Sequence, residues 1–313
     1  MHCDTITTLY DRIQKGSVGT LRKNDMQIDF EKLQKSKYLL QNFAVFLDKE
    51  IWKKDLFTEA MLRIDFFKEQ LSPNTALIRQ VTSYEEIIQN EKEDRISALL
   101  TLEGGEILEG NVDNLSKFHE KGVRMVTLTW NYDNELGHCH FDTEGNGLTK
   151  LGFEMVERME ELHVIPDVSH GSDALFWDVC KVAKKPFVAS HSNARSVYNR
   201  TRNMNDEMIR ALAEHGGVMG MNFFAGFTSA RAKEDGNCYM EDIVAHMRHV
   251  VNVGGIECLG LGSDFDGIDT DVEWKDAGNM DFLLSGMKKA GFSAIECDKI
   301  CRENVLRLYK ECL

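Results

Sequence analysis

The sequence predicts an α/β fold, a (β/α)8 barrel of the TIM type, and three observations carry that expectation. Short runs that are apolar throughout alternate with stretches of helical spacing, which points to parallel strands covered on both faces. With a clipped run at the very start, the strand-like segments number eight. The 313 residues suit a barrel of typically about 250 residues plus insertions. Only three prolines occur and no linker-like tract interrupts the chain, so one domain over residues 1–313 is expected.

The elements follow in order. His2-Cys3-Asp4 reads as the carboxyl end of a first strand, apparently truncated, since only Met1 precedes it where about five or six residues are usual. The expectation is that the natural start lies upstream. A short helix is predicted over 29–36 and a strand over 38–46 (YLLQNFAVF). In 55–71, Leu56, Ala60, Ile64 and Phe67 fall on one helical face. Residues 96–102 form a buried-type strand that ends in Glu103-Gly104-Gly105. Strands are then expected at 123–128, 164–168, 187–190, 218–222 and 258–261. Helices precede them near 112–121, 149–162, 172–182, 205–215 and 239–253, and two or three more close the chain. The long loops 131–148 and 223–237 both follow strands, so in a barrel they overhang the carboxyl-end face, where active sites of this fold lie.

Composition narrows the partners. A net charge of −14 argues against a nucleic-acid polymer and provides no basic face for anionic lipid. No 18-residue apolar run exists, so no membrane span is expected. The eight cysteines are scattered without a CxxC pair, and no charged-then-apolar leader opens the sequence. Free thiols and a cytoplasmic location are therefore expected. Cys297 and Cys301, four apart, read as core-facing thiols rather than ligands of a soft metal.

The chemistry lies at the strand ends. His2 and Asp4, two apart, project to the same side of a strand. Glu103, His170, His191 and Asp264 each follow another strand. Each alone has a plain reading, as a hydrogen-bonding histidine or a turn aspartate, and His119, His138, His140, His163, His215, His246 and His249 keep that reading. Ligand-type residues at five strand ends point instead to one convergent site. Imidazoles mixed with carboxylates suit Zn2+, or Mn2+, Fe2+ or Co2+. Six groups exceed the need of one tetrahedral ion, so a bridged pair of ions about 3.5 Å apart is expected, with Glu103 as the bridge. Water shared by such a pair is acidified and can attack a carbonyl.

Several motifs, taken together and in order, resemble the membrane (renal) dipeptidases, peptidase family M19. They are His2-Cys3-Asp4-Thr5, Leu102-Glu103-Gly104-Gly105, Leu128-Thr129-Trp130-Asn131, Asp167-Val168-Ser169-His170, Ser190-His191-Ser192-Asn193-Ala194-Arg195, Arg202-Asn203 and Gly262-Ser263-Asp264-Phe265-Asp266-Gly267. The resemblance implies two Zn2+ per chain, one held by His2, Asp4 and Glu103, the other by Glu103, His170 and His191. It implies hydrolysis of free dipeptides, including those with a C-terminal D-residue, and a homodimer. It further implies that Arg202 binds the substrate carboxylate, as a guanidinium does well. Asp264 would pass a proton or hold the substrate amine. One departure stands out. Trp130 replaces a histidine of the mammalian members that contacts the substrate, a task for which Asn131, His138 or His140 could substitute. The secretion, disulfides and lipid anchor of those members are not carried over. Two other readings stay open: a hydrolase of another small amide, such as an N-acyl amino acid, and a metal-poor barrel that binds peptides without turnover.

Overall fold

A computed structural model describes residues 1–52 and 55–313. Its strands are β1 (His2–Cys3), β2 (Leu40–Phe46), β3 (Ile78–Val81), β4 (Ile96–Glu103), β5 (Val123–Thr127), β6 (Ile165–Asp167), β7 (Val188–Ser192), β8 (Val218–Asn222), β9 (Asn237–Cys238), β10 (Leu259–Phe265) and β11 (Asp271–Val272). Eight of them run side by side in the order β1-β10-β8-β7-β6-β5-β4-β2, and every ladder is parallel. Cys3 Sγ donates to the Asn42 carbonyl at 3.3 Å across the remaining seam, but no ladder joins β1 to β2. The result is a nearly closed eight-stranded barrel wrapped by helices, as the alternation predicts. Strands buried on both faces cannot show a polar side: all eight residues of β4 are buried.

The first strand is short. β1 has two residues, paired His2↔Ser263 and Cys3↔Phe265, and the Met1 main-chain nitrogen adds a bond to the Leu261 carbonyl. A helix, Thr5–Gln14, begins directly after Asp4, where the sequence reading placed none. Further elements were not anticipated, among them the helices Tyr84–Lys92 and Ala230–Asp235. β3 fills the space beside the amino half of β4 (Ile78↔Ile96 to Val81↔Leu99), below the point where β5 begins to pair at Leu100. β9 and β11 join the loops after β8 and β10 into a small parallel sheet. The helices the sequence does predict begin close to the expected positions, several of them fixed by a side-chain cap such as Asp29, Thr149, Ser172 or Asn205.

All eight cysteines are free thiols. No helix among the described residues is long and apolar enough to cross a membrane. Because all ladders are parallel, every strand delivers its carboxyl end to one mouth. At Gly262 a β-carbon would lie 2.6 Å from the Ser190 carbonyl oxygen, so only glycine allows β10 to approach β7 there.

Candidate metal centre

The mouth collects His2, Asp4, Glu103, His170, His191 and Asp264, all buried. Glu103, the last residue of β4, stands at the centre and divides its oxygens. Oε2 lies 3.3 Å from His2 Nε2, while Oε1 lies 3.1 Å from His170 Nε2 and 3.3 Å from His191 Nε2. On the first side, Asp4 Oδ2 is 3.2 Å and Asp264 Oδ1 3.8 Å from His2 Nε2. On the second side, the Nε2 atoms of His170 and His191 are 3.0 Å apart. Two sets of donors thus share one carboxylate.

Local backbone geometry makes this possible. His170, Ser263 and Asp264 all adopt left-handed conformations, with φ of 68°, 62° and 69°. Such strain in residues with side chains is uncommon and concentrates at functional sites. At Gly267 a β-carbon would fall 2.0 Å from Asp4 Oδ2 and 3.0 Å from Asp264 Oδ1. Gly267→Ala is therefore expected to push the Asp4 carboxylate aside, at a cost of about 1–3 kcal/mol, and to weaken cation binding. A thermal melt and a metal titration check this; unchanged metal affinity would contradict the arrangement.

The partners behind the imidazoles show which nitrogen carries a proton. Asn131 Oδ1 accepts from His170 Nδ1 at 2.8 Å, which leaves His170 Nε2 with a bare lone pair facing Glu103. The same oxygen accepts from His140 Nε2 at 3.1 Å, and His140 Nδ1 meets Thr201 Oγ1 at 2.9 Å. His140 is thus a satisfied hydrogen-bonding histidine, as its plain reading has it, but it braces a ligand-type residue. Asp264 is held by Asn222 Nδ2 at 2.9 Å.

The residues fit a cation. Asp4 Oδ1 is buried without a partner, and the bare Nε2 of His170 faces a carboxylate oxygen of Glu103 at 3.1 Å. Ligands at 2.0–2.1 Å around a tetrahedral ion lie about 3.3 Å from each other, close to the spacings above. Electrostatics agree. Burial depresses His170 and His191 well below the usual imidazole range, helped by the nearby Arg202 charge. Burial also lowers His2, but Glu103 and Asp4 outweigh it and hold that imidazole well above its ordinary value. Burial pushes Glu103 up to about 8, with Asp4 adding to the push and His2 opposing it. Crowded buried carboxylates that would otherwise hold protons are what a divalent cation relieves.

A cavity of about 290 Å3 opens over this centre, lined by Asp4, Glu103, His170, Asp264, Trp130 and Asn131 among others. That is at the small end for ligand sites. Trp130 packs on Phe46 at 4.6 Å and lies 6.2 Å from His170, ring centre to ring centre. Asn131 faces the cavity with its amide oxygen already committed to the two imidazoles. Arg202 is not a surface arginine: it is 4% exposed. Its Nη1 donates to Ser192 Oγ at 2.9 Å and its Nη2 to the His191 carbonyl at 2.8 Å, while Nε is buried without a partner. It lies near the centre but is not one of the residues lining the cavity. His138 is half-buried and paired with Asp133 at 3.0 Å.

The family model described as membrane dipeptidase (peptidase family M19) matches residues 1–312. The chain belongs to this family. Among its relatives, an uncharacterized protein in the pqqA 5' region of Klebsiella pneumoniae is 33% identical over 71% of this chain and 85% of its own length. Dipeptidase 3 of Rattus norvegicus is 26% identical over 91% of this chain, but the match spans 58% of the rat protein. Among solved structures, a metallo peptidase from Rhodobacter sphaeroides, liganded with a phosphinate mimic of the dipeptide L-Ala-D-Ala, superposes with a TM-score of 0.90. It covers 100% of this chain and 98% of its own at 21% identity, a likeness of fold. The M19 motifs quoted from the sequence are the ones that the barrel gathers at its mouth.

Proposed function

We propose that this M19 protein is a zinc-dependent dipeptidase with two ions per chain, one held by His2, Asp4 and Glu103 and the other by Glu103, His170 and His191. The observation that carries this is the division of the Glu103 oxygens between two donor sets. Family membership supports the activity, and the mixed imidazole and carboxylate donors support zinc. When bound, the ions supply Lewis acidity and acidify water near neutral pH.

The chain's own residues do the rest. Asp264, outside the two proposed donor sets, leaves a carboxylate at the cavity wall that suits the ammonium of a free dipeptide. Asp264 lies at the cavity wall and accepts from Asn222, in position to carry a proton between the attacking water and the leaving amine. Arg202 stands ready behind the wall for the substrate carboxylate, with Nε unpaired. The aromatic faces of Phe46, Trp130, Phe224 and Phe227 shield the reaction from bulk water. A C-terminal D-residue is part of the proposal, supported by the phosphinate mimic in the Rhodobacter structure.

Hydrolysis of a panel of dipeptides, L-Ala-D-Ala included, before and after chelation, tests this reading. Activity that needs both free termini and disappears with chelator is the expected result. Arg202→Ala should raise KM for dipeptides about ten- to a hundredfold, the loss of a charge-assisted hydrogen bond worth about 1.5–3 kcal/mol. An unchanged KM would remove its carboxylate role. The apolar face that Trp130 presents on the cavity wall favours one second reading, cleavage of another small amide that lacks the free amine of a dipeptide, such as an N-acyl amino acid. Turnover of such compounds in preference to dipeptides would select it.

A further inference from the structure

Asp167, the last residue of β6, is fully buried and lies outside the six ligand-type residues. Its two oxygens face different partners. Oδ1 accepts two main-chain N–H groups, Ser169 and Ser190, both at 2.9 Å. Oδ2 accepts two hydroxyls, Thr127 Oγ1 at 2.7 Å and Ser190 Oγ. The single hydroxyl proton of Ser190 is therefore spent on Asp167. Ser190 Oγ also stands 2.7 Å from His191 Nδ1, and toward that ring it can only accept. Nδ1 must then carry the imidazole proton, which leaves Nε2 bare at 3.3 Å from Glu103 Oε1.

We propose that Asp167 is a positioning residue that acts through Ser190 to set the tautomer of His191, so that Nε2 is available to a cation. The consequence for metal rests on reading His191 as a ligand. The direction of the chain is fixed at its far end, because main-chain N–H groups only donate. That fixity makes Asp167→Asn informative. The amide oxygen must take the Oδ1 place, facing the two N–H groups, and the NH2 group must take the Oδ2 place, facing Ser190. Ser190 Oγ then accepts, and its own proton turns to the best remaining acceptor, His191 Nδ1. The alternative, Ser169 Oγ, is 3.5 Å away and poorer. The proton of His191 is driven to Nε2, into the position a cation needs. A nearly isosteric change therefore reverses a hydrogen-bond chain and blocks a ligand.

The test uses the full chain. In metal-stripped protein, two-bond 1H–15N spectra of the imidazoles, with His191 assigned by its loss in His191→Gln, should show Nδ1–H in the wild type and Nε2–H in Asp167→Asn. A Zn2+ titration should show one of two affinities weakened about a hundredfold in Asp167→Asn and by about tenfold or less in Ser190→Ala, which leaves the tautomer free. Adding Ser190→Ala to Asp167→Asn should recover affinity, whereas a merely structural role predicts losses that add. Nε2–H at His191 in the wild type, an unchanged tautomer in Asp167→Asn, or additive losses would overturn the proposal. The wild-type spectrum decides even if a variant fails to fold. A switched tautomer with unchanged Zn2+ affinity would support the relay and remove His191 from the metal site.

Discussion

Glu103→Gln is expected to lower kcat/KM by about a thousandfold or more and to reduce the metal content from about two ions per chain to one or fewer. The side chain keeps its shape, so the effect is chemical. Oε2 serves the His2 side and Oε1 the His170 and His191 side. An amide keeps one oxygen, and its NH2 cannot ligate, so one side loses its carboxylate outright. The remaining side loses the negative charge that offsets two cations. A thousandfold loss corresponds to about 4 kcal/mol, within reach of the several kcal/mol that a Lewis-acidic ion contributes. Elemental analysis and steady-state kinetics on the same preparation check it. Full activity with two ions retained would sink the bridging assignment.

Asp264→Asn is expected to cost about 10²–10⁴ in kcat, the range of a lost acid–base group, with metal content unchanged. Asn222 Nδ2 donates to Asp264 Oδ2, so the replacing amide places its oxygen there and turns its NH2 toward His2. The position then has no site to receive a proton. The separation of Asp264 Oδ1 from His2 Nε2, 3.8 Å, is longer than the 3.2 Å of Asp4, which sets Asp264 back from the donor set. A kcat within a few-fold of wild type would end the proton-transfer role. Loss of an ion instead would make Asp264 a ligand.

The barrel was legible because its wall is written in unbroken apolar runs, and the site because ligand-type residues end those runs. His2, Asp4, Glu103, His170, His191 and Asp264 could be chosen without contacts, since parallel strands send all carboxyl ends to one face. β3 escaped notice because four residues with two non-buried positions carry too little pattern. The helix Thr5–Gln14 escaped because Thr-rich sequence gives a weak helical signal. The bracing residues were less visible still. Asp167, Ser190, Asn222 and His140 are polar residues whose meaning lies in which atom faces which, a matter of tertiary contact. For the first three the one sequence signal was a polar residue inside a strand that otherwise excludes them, and His140, in the loop after β5, gave none. Arg202, which the resemblance assigns to the substrate carboxylate, is buried beside the centre.

Metal content per chain, in protein purified without chelator, decides whether one carboxylate is shared between two cation sites. About two divalent ions per chain, zinc foremost, are expected, with both lost on chelation and regained on adding Zn2+. A chain that takes up no ion, or saturates at one with ample zinc, would contradict the two-site reading.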